Sequence, residues 1–226
     1  MTKILEREIE RLKKMVFSLS AEVEEATQRA VKAITERDAE LARQVIEHDY
    51  MIDEKEVEVE EECLKILALH QPVAIDLRFI IAVLKINSDL ERVGDLAVNV
   101  AEHAKVLSTQ PPAGEPPDFA KMARKALSML NRSLDALVNM DANLARKVCK
   151  EDDEVDEMNR RNYKAVGETI QETPHNVGPL TRFLTVSHHL ERVADHSTNI
   201  SEDIIYMTEG QIVRHRTEQL AGGSDS

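Results

Sequence analysis

Apolar residues along the chain recur with the three- to four-residue spacing of helices. The first such stripe consists of Ile9, Leu12, Val16, Leu19, Val23, Ala26 and Ala30. A stripe of this kind gives a helix one apolar face that can pack against other helices. Comparable stretches follow at about residues 39–70, 73–104, 119–138, 141–170 and 177–207. The pattern therefore predicts an all-α fold with six helices.

Capping residues and prolines mark where the helices begin and end. Asp38 has the short side chain of an N-cap before the second helix. Pro72 is suited to the first turn of the third helix, and the Thr173–Pro174 pair ends the fifth. Residues 108–118 hold four prolines and a glycine, so no helix can continue through them.

This proline-rich linker divides the chain into two halves. We expect a first three-helix bundle at residues 1–107, the linker at 108–118, and a second bundle at 119–210. Residues 211–226 should form a tail with a disordered end, because they finish in Ala-Gly-Gly-Ser-Asp-Ser.

The two halves repeat each other in sequence. Leu-Ala-Arg-Gln-Val at 41–45 returns as Leu-Ala-Arg-Lys-Val at 144–148, and Leu-Glu-Arg-Val-Gly-Asp at 90–95 returns as Leu-Glu-Arg-Val-Ala-Asp at 190–195. The repeat predicts two homologous three-helix bundles in tandem, built from antiparallel neighbouring helices.

Acidic residues recur four positions apart on the second and third predicted helices of each half. They are Asp49, Asp53, Glu91 and Asp95 in the first half, and Asp152, Asp156, Glu191 and Asp195 in the second. Two carboxylates at this spacing are neighbours on one helix face and repel by about 0.2–0.5 kcal/mol, a cost that a bound cation would remove. Asn99 and Asn199 continue the same stripe, which a helical wheel directs away from the apolar stripe.

Two such pairs on adjacent helices would offer many carboxylate oxygens to one ion. Oxygen ligands suit hard cations such as Mg²⁺, Mn²⁺ and Ca²⁺, and carboxylate-rich helical sites also hold iron. The sequence therefore predicts one cation site in each half. Two alternatives stay open, which are a scaffold with solvated acidic faces and a metal-dependent phosphohydrolase.

Composition narrows the classes of function. The formal net charge is −13 without a basic stripe, so nucleic acid is not an expected partner. The sequence shows no glycine-rich phosphate loop, no G-x-S-x-G and no Cys–His arrangement, and we do not expect an enzyme. A charged N-terminal segment, two isolated cysteines and no uncharged run of about 20 residues predict a soluble cytoplasmic protein.

Two signatures in the chain resemble those of the PhoU family of phosphate-transport regulatory proteins. The first is Gln-Pro-Val-Ala-Ile-Asp-Leu-Arg at 71–78, followed by residues 90–95 and Asn99. The second is Leu-Glu-Arg-Val-Ala-Asp-His at 190–196, followed by Gly-Gln-Ile-Val-Arg-His at 210–215. The resemblance extends from about residue 6 to residue 215.

The resemblance implies a fold of two tandem three-helix bundles and a role as a negative regulator of phosphate uptake and of the phosphate-starvation response. It implies a non-enzymatic adaptor between the phosphate ABC transporter, through its ATPase PstB, and the sensor kinase PhoR. Such a protein would be peripheral to the membrane through its partners, and we expect a homodimer.

Some members of the family bind multinuclear metal clusters through paired acidic motifs. The resemblance assigns this role to the eight acids named above, with Asn99 and Asn199 as further ligands or supporting groups. Mg, Mn, Fe and Zn are the candidate metals. Asp89 and Leu96 in the first half correspond to His189 and His196 in the second, so we expect the first site to be the more purely carboxylate one.

Overall fold

A computed structural model describes residues 3–210, all of which lie in helices, turns or connections. The helices are α1 Lys3–Glu36, α2 Ala39–His48, α3 Tyr50–His70, α4 Ala74–Ser108, α5 Phe119–Asn139, α6 Ala142–Glu172 and α7 Val177–Glu209, with a 3₁₀ turn at Pro174–Asn176. The backbone of Asp49 is itself helical (φ −55°, ψ −37°), so α2 and α3 form one bent segment. The predicted all-α class and the six helical segments are confirmed. The predicted tail at 211–226 lies outside the described residues.

The turn before the second helix is built in the same way in both halves. The Asp38 carboxylate accepts hydrogen bonds from the backbone N–H groups of Glu40 and Leu41, both at 2.9 Å. Asp141 does the same for Asn143 and Leu144, at 2.9 and 3.0 Å. These bonds satisfy N–H groups that a helix start leaves without partners. The predicted cap at Asp38 is confirmed.

The start of the third helix differs from the prediction. Pro72 does not lie in the first turn, because α4 begins at Ala74 with Val73 as its N-cap. Gln71 closes α3 in the left-handed conformation (φ 44°), with its N–H bonded to the Leu67 carbonyl. Val73 is then extended (φ −127°, ψ 162°), and these two backbone conformations reverse the chain before a helix can restart.

Helices α4 and α7 pack against each other in opposite directions and join the two halves. Arg78 near the start of α4 donates to the Met207 carbonyl near the end of α7, at 3.0 Å. Near the other end of α4, His103 contacts Arg182 of α7. Because positions 100 residues apart are equivalent in the repeat, this crossing relates the halves by an approximate two-fold axis.

The two halves share one hydrophobic core. Buried side chains of both form a single cluster, including Leu12, Leu90, Phe119 and Leu190. Packing at the α4–α7 interface therefore fixes how the two acidic regions lie relative to each other. None of the helices in residues 3–210 combines the length and apolarity needed to cross a membrane.

Candidate cation sites

The first acidic cluster consists of Asp49, Asp53, Glu91 and Asp95. Asp49 lies at the α2–α3 junction, and burial followed by the charges of Asp53 and Asp95 raises its pKa. Burial, then Asp95 and Asp53, likewise raises the pKa of Glu91 on α4. The structure therefore brings the four predicted acids of the first half within electrostatic range of one another.

Gly94 allows α4 to approach α3 closely beside this cluster. A Cβ atom at this position would lie 3.1 Å from both Cδ1 and Cγ2 of Ile52, and 3.9 Å from Asp49 Oδ1. A contact of 3.1 Å is tighter than ordinary van der Waals packing. A side chain at position 94 would therefore crowd Ile52, next to the Asp49 carboxylate.

Glu56 extends the first cluster and was not predicted. Asn87 Nδ2 donates to its Oε1 and to its backbone carbonyl, both at 2.9 Å. Burial, Glu60 and Asp53 raise the pKa of Glu56. The sequence does contain a signal for Glu56, because this residue lies seven positions after Asp49 and therefore on the same helical face.

The second half carries an uncharged network at the equivalent place. Asn159 corresponds to Glu56, and its Oδ1 accepts a hydrogen bond from Ser187 at 2.7 Å. Asn162 in turn donates to the Ser187 hydroxyl at 2.9 Å. The two halves therefore differ in acidic content beside the predicted ligands.

The second acidic cluster consists of Asp152 and Asp156 on α6 and Glu191 and Asp195 on α7. Burial raises the pKa of Asp152 to about 7, with further contributions from Asp195, Asp156, Glu191 and Asp153. Burial and Asp156 also raise the pKa of Asp195. The four predicted acids of the second half therefore lie together as well.

Two buried oxygen atoms characterise the second cluster. Asp152 Oδ1 is buried and has no hydrogen-bond partner among the described residues. Glu191 Oε2 lies 2.9 Å from His188 Nδ1, and the pKa of Glu191 is raised by burial and Asp195 although His188 opposes this shift. A buried oxygen without a partner is costly unless a cation or a proton compensates it.

The acidic stripes lie at the edge of the core and do not point wholly into solvent. Five of the eight acids are half-buried and three are exposed. The half-buried ones are Asp49, Glu91, Asp152, Asp156 and Glu191, and the exposed ones are Asp53, Asp95 and Asp195. The helical wheel directs these side chains away from the apolar stripe of their own helix. A wheel describes one helix at a time and does not include the neighbouring helix, which covers one side of each acidic stripe.

Asn99 and Asn199 have different surroundings. Asn99 lines a pocket of about 340 Å³ in the middle of the α4–α7 interface, together with Glu91, Arg92, Asp95, Leu96 and Arg192. Asn199 is exposed on α7. Only Asn99 is therefore seen beside the acids of its half, and a ligand there would also meet guanidinium groups from both halves.

The histidines that distinguish the second half are not equivalent in position. His196 bonds across the interface to Asp89, and the His189 ring stacks on His103 with ring centroids 5.8 Å apart. His188 is the histidine in contact with the second cluster. The alignment of the two repeats does not predict which histidine contacts the second cluster, because α7 packs against more than one neighbouring helix.

The donor chemistry of both clusters suits a hard cation, since carboxylate oxygens dominate and Asp152 Oδ1 lacks a partner. In residues 3–210, however, no group of three or more His, Cys, Asp and Glu side chains is arranged to hold a metal ion. Binding at either cluster would therefore require the acidic side chains to converge.

Fold and clusters together define a class of protein, a tandem repeat of helical bundles with one acidic cluster in each repeat. The PhoU domain matches the chain twice, at residues 16–104 and 119–204. The chain belongs to the PhoU domain family. The predicted family is confirmed.

Relatives match over nearly their whole length. A "phosphate-specific transport system accessory protein PhoU homolog" of Aquifex aeolicus is 38% identical, and the alignment covers 93% of this chain and 95% of the relative. "PhoU homolog 1" of Thermotoga maritima is 34% identical, with 97% and 95% covered.

Solved structures match as well. The crystal structure of PhoU from Pseudomonas aeruginosa has a TM-score of 0.83 at 33% identity, covering 91% of this chain and 99% of that one. The phosphate transport system regulatory protein PhoU from Streptococcus pneumoniae has a TM-score of 0.85 at 29% identity, covering 92% and 99%.

Proposed function

We propose that this chain is an accessory protein of the phosphate-specific transport system and a negative regulator of phosphate uptake and of the phosphate-starvation response. The observation that carries the proposal is the match of both repeats to relatives of that name over 93% of this chain. The protein acts without enzymatic turnover, by binding. It works in the cytoplasm as a homodimer and reaches the membrane through its partners.

The partners in this proposal are the transporter ATPase, PstB, and the sensor kinase, PhoR. Support comes from charge, because a chain of net charge −13 attracts basic surfaces and repels acidic ones. Association with either partner should therefore be steered by electrostatics and should weaken as salt is raised.

Each acidic cluster binds a cation in this proposal, and Mg, Mn, Fe and Zn are the candidate metals. The first cluster would hold it with Asp49, Asp53, Glu91 and Asp95, supported by Asn99. The second would use Asp152, Asp156, Glu191 and Asp195, with Asn199 nearby on α7. The bound charge would offset the burial and, after it, the repulsion from Asp195, Asp156 and Glu191 that together raise the pKa of Asp152 to about 7.

The regulatory role is tested by deleting the gene and measuring the output of the phosphate regulon in phosphate-rich medium. Deletion should raise that output, and the wild-type chain should restore repression. Unchanged output after deletion would exclude a negative regulator.

The role of the clusters is tested by complementing the deletion with Glu91→Gln, Asp95→Asn, Glu191→Gln and Asp195→Asn combined. The control for loss of acidic charge outside the clusters is Glu58→Gln with Glu61→Gln, which removes two charges against four, at exposed positions of α3. If both variants repress equally well at equal abundance, the clusters do not take part in regulation.

A further inference from the structure

A second kind of polar site lies at the end of the α4–α7 interface near the end of α4. The histidine–arginine pocket has a volume of about 550 Å³ and is open to solvent. Its lining residues are Ile46, Glu102, His103, Lys105, Val106, Thr109 and Arg182. None of these belongs to either acidic cluster. The pocket therefore contains two positively charged side chains, Lys105 and Arg182, and a histidine, although the chain is acidic overall.

The contact between Arg182 and His103 sets the chemistry of the pocket. Arg182 Nη1 lies 3.2 Å from His103 Nδ1. A guanidinium has only donors, so Nδ1 of the imidazole accepts and the ring carries its hydrogen on Nε2. The ring also stacks on His189, at 5.8 Å between ring centroids.

The charge state of His103 agrees with this arrangement. Burial, and then the charge of Arg182, lowers its pKa, while Glu102 opposes the shift. At neutral pH the ring is therefore uncharged and offers one N–H donor. The pocket is then lined by a guanidinium, an ammonium and an uncharged imidazole.

The two ends of the α4–α7 interface differ in the charges that meet there. At the opposite end of the interface, Lys85 of α4 pairs with Asp203 of α7 at 3.1 Å. The residue equivalent to Asp203 is His103, so an imidazole stands where the other end has a carboxylate. In residues 3–210, no Asp or Glu oxygen lies within ion-pair distance of the half-buried Arg182.

We propose that the histidine–arginine pocket binds a phosphate group, supplied either as inorganic phosphate or as the terminal phosphate of a nucleotide. Arg182 would donate paired N–H bonds to two oxygens, a geometry in which guanidinium and phosphate match. His103 Nε2–H would donate to a third oxygen, and Lys105 would add a flexible positive charge. The anion would supply beside Arg182 the negative charge that Asp203 supplies beside Lys85.

The pocket also explains why binding should be weak and sensitive to salt. Glu102 lines the same opening, and its carboxylate opposes an approaching anion. The net charge of −13 adds to this repulsion. A site of this kind responds to high concentrations of phosphate and is empty at low ones. It would let the chain respond to phosphate directly, beyond the proposed adaptor role and independently of cations at the clusters.

The experiment titrates the full chain with inorganic phosphate at constant ionic strength, after dialysis against EDTA so that no cluster-bound cation can hold the anion. Binding is measured by calorimetry and by the NMR signals of the histidine rings. Saturable binding is expected, with a shift of the His103 signal. Arg182→Gln should weaken it about 10-fold or more, since a hydrogen bond to a charged group is worth about 1.5–3 kcal/mol.

The matched control is Arg161→Gln, which removes the same charge from an exposed site on α6. It should bind phosphate like the wild type. Equal weakening in both variants, or no saturable binding in the wild type, would overturn the proposal. If Arg182→Gln is unfolded by circular dichroism, His103→Gln and Lys105→Gln provide the same comparison.

A parallel titration with ATP distinguishes the two sources of the group. If ATP competes with phosphate and this competition is lost in Arg182→Gln, the pocket binds the phosphate group of a nucleotide. Binding of phosphate without ATP binding supports the free anion. Binding of ATP that Arg182→Gln leaves unchanged would count against this pocket as its site.

Discussion

His196 Nδ1 lies 2.8 Å from Asp89 Oδ1, across the interface between α7 and α4. Both side chains are largely buried, with 6% and 15% of their surfaces exposed. At the equivalent positions on the other side of the approximate two-fold axis stand Leu96 and His189, which cannot form this pair. Two differences between the repeats thus form a single contact that joins the halves.

This pair should contribute to the stability of the interface. His196→Leu leaves a buried Asp89 carboxylate without its partner, and we expect the free energy of unfolding to fall by about 1–3 kcal/mol. Asp89→Leu combined with His196→Leu should restore much of the loss, since both polar groups are then gone. Urea unfolding measures all three proteins. A double variant no more stable than the single one would contradict the pairing.

The stability of the metal-free protein should depend on pH through Asp152. Its pKa is about 7 in the folded state against an ordinary value of 3.8, so the folded state holds the proton more tightly than the unfolded one. Stability from this group is therefore complete below about pH 4 and is lost as pH rises through 7. Asp152→Asn should stabilise the protein at pH 8 by about 1–3 kcal/mol and have little effect at pH 4.

Urea unfolding in EDTA at the two pH values checks this prediction. The control is Asp153→Asn, because Asp153 is the exposed neighbour on the same helix. A gain at pH 8 that is equal in both variants would indicate a general charge effect and not burial of Asp152.

Metal content should follow the acidic clusters. Glu91→Gln with Asp95→Asn should lower the metal bound per chain by about half, because one cluster of two is disabled, and should leave the fold intact. Elemental analysis after gel filtration measures the content, and circular dichroism checks the fold. Unchanged metal content would show that these residues are not ligands.

Gly94 should be intolerant of a side chain. Gly94→Ala places a Cβ 3.1 Å from Ile52, and overpacking of this kind costs about 1–3 kcal/mol. Gly167→Ala is the control, since a Cβ there meets nothing within 4 Å and should stabilise helix α6 by about 0.5–1 kcal/mol. Thermal unfolding should therefore shift in opposite directions for the two variants.

Patterns along the chain were enough to predict the helices, the repeat and the grouping of the acids. Helical periodicity and caps such as Asp38 are local, because they depend on residues within one or two turns. The start of α4 was the local error, since the left-handed Gln71 has no reliable signal in a non-glycine residue.

Which side chains meet across helices depends on how the helices pack in the folded chain. The Asp89–His196 pair joins residues 107 positions apart, and the Arg182–His103 contact joins residues 79 positions apart. Glu56 of α3 acts on Glu91 of α4, which lies 35 positions later in the chain. These contacts depend on the register and crossing of α4 against its neighbours, which the shared core fixes. The helical period predicts which face of its helix a residue occupies. The packing of the whole chain determines which side chains that face contacts.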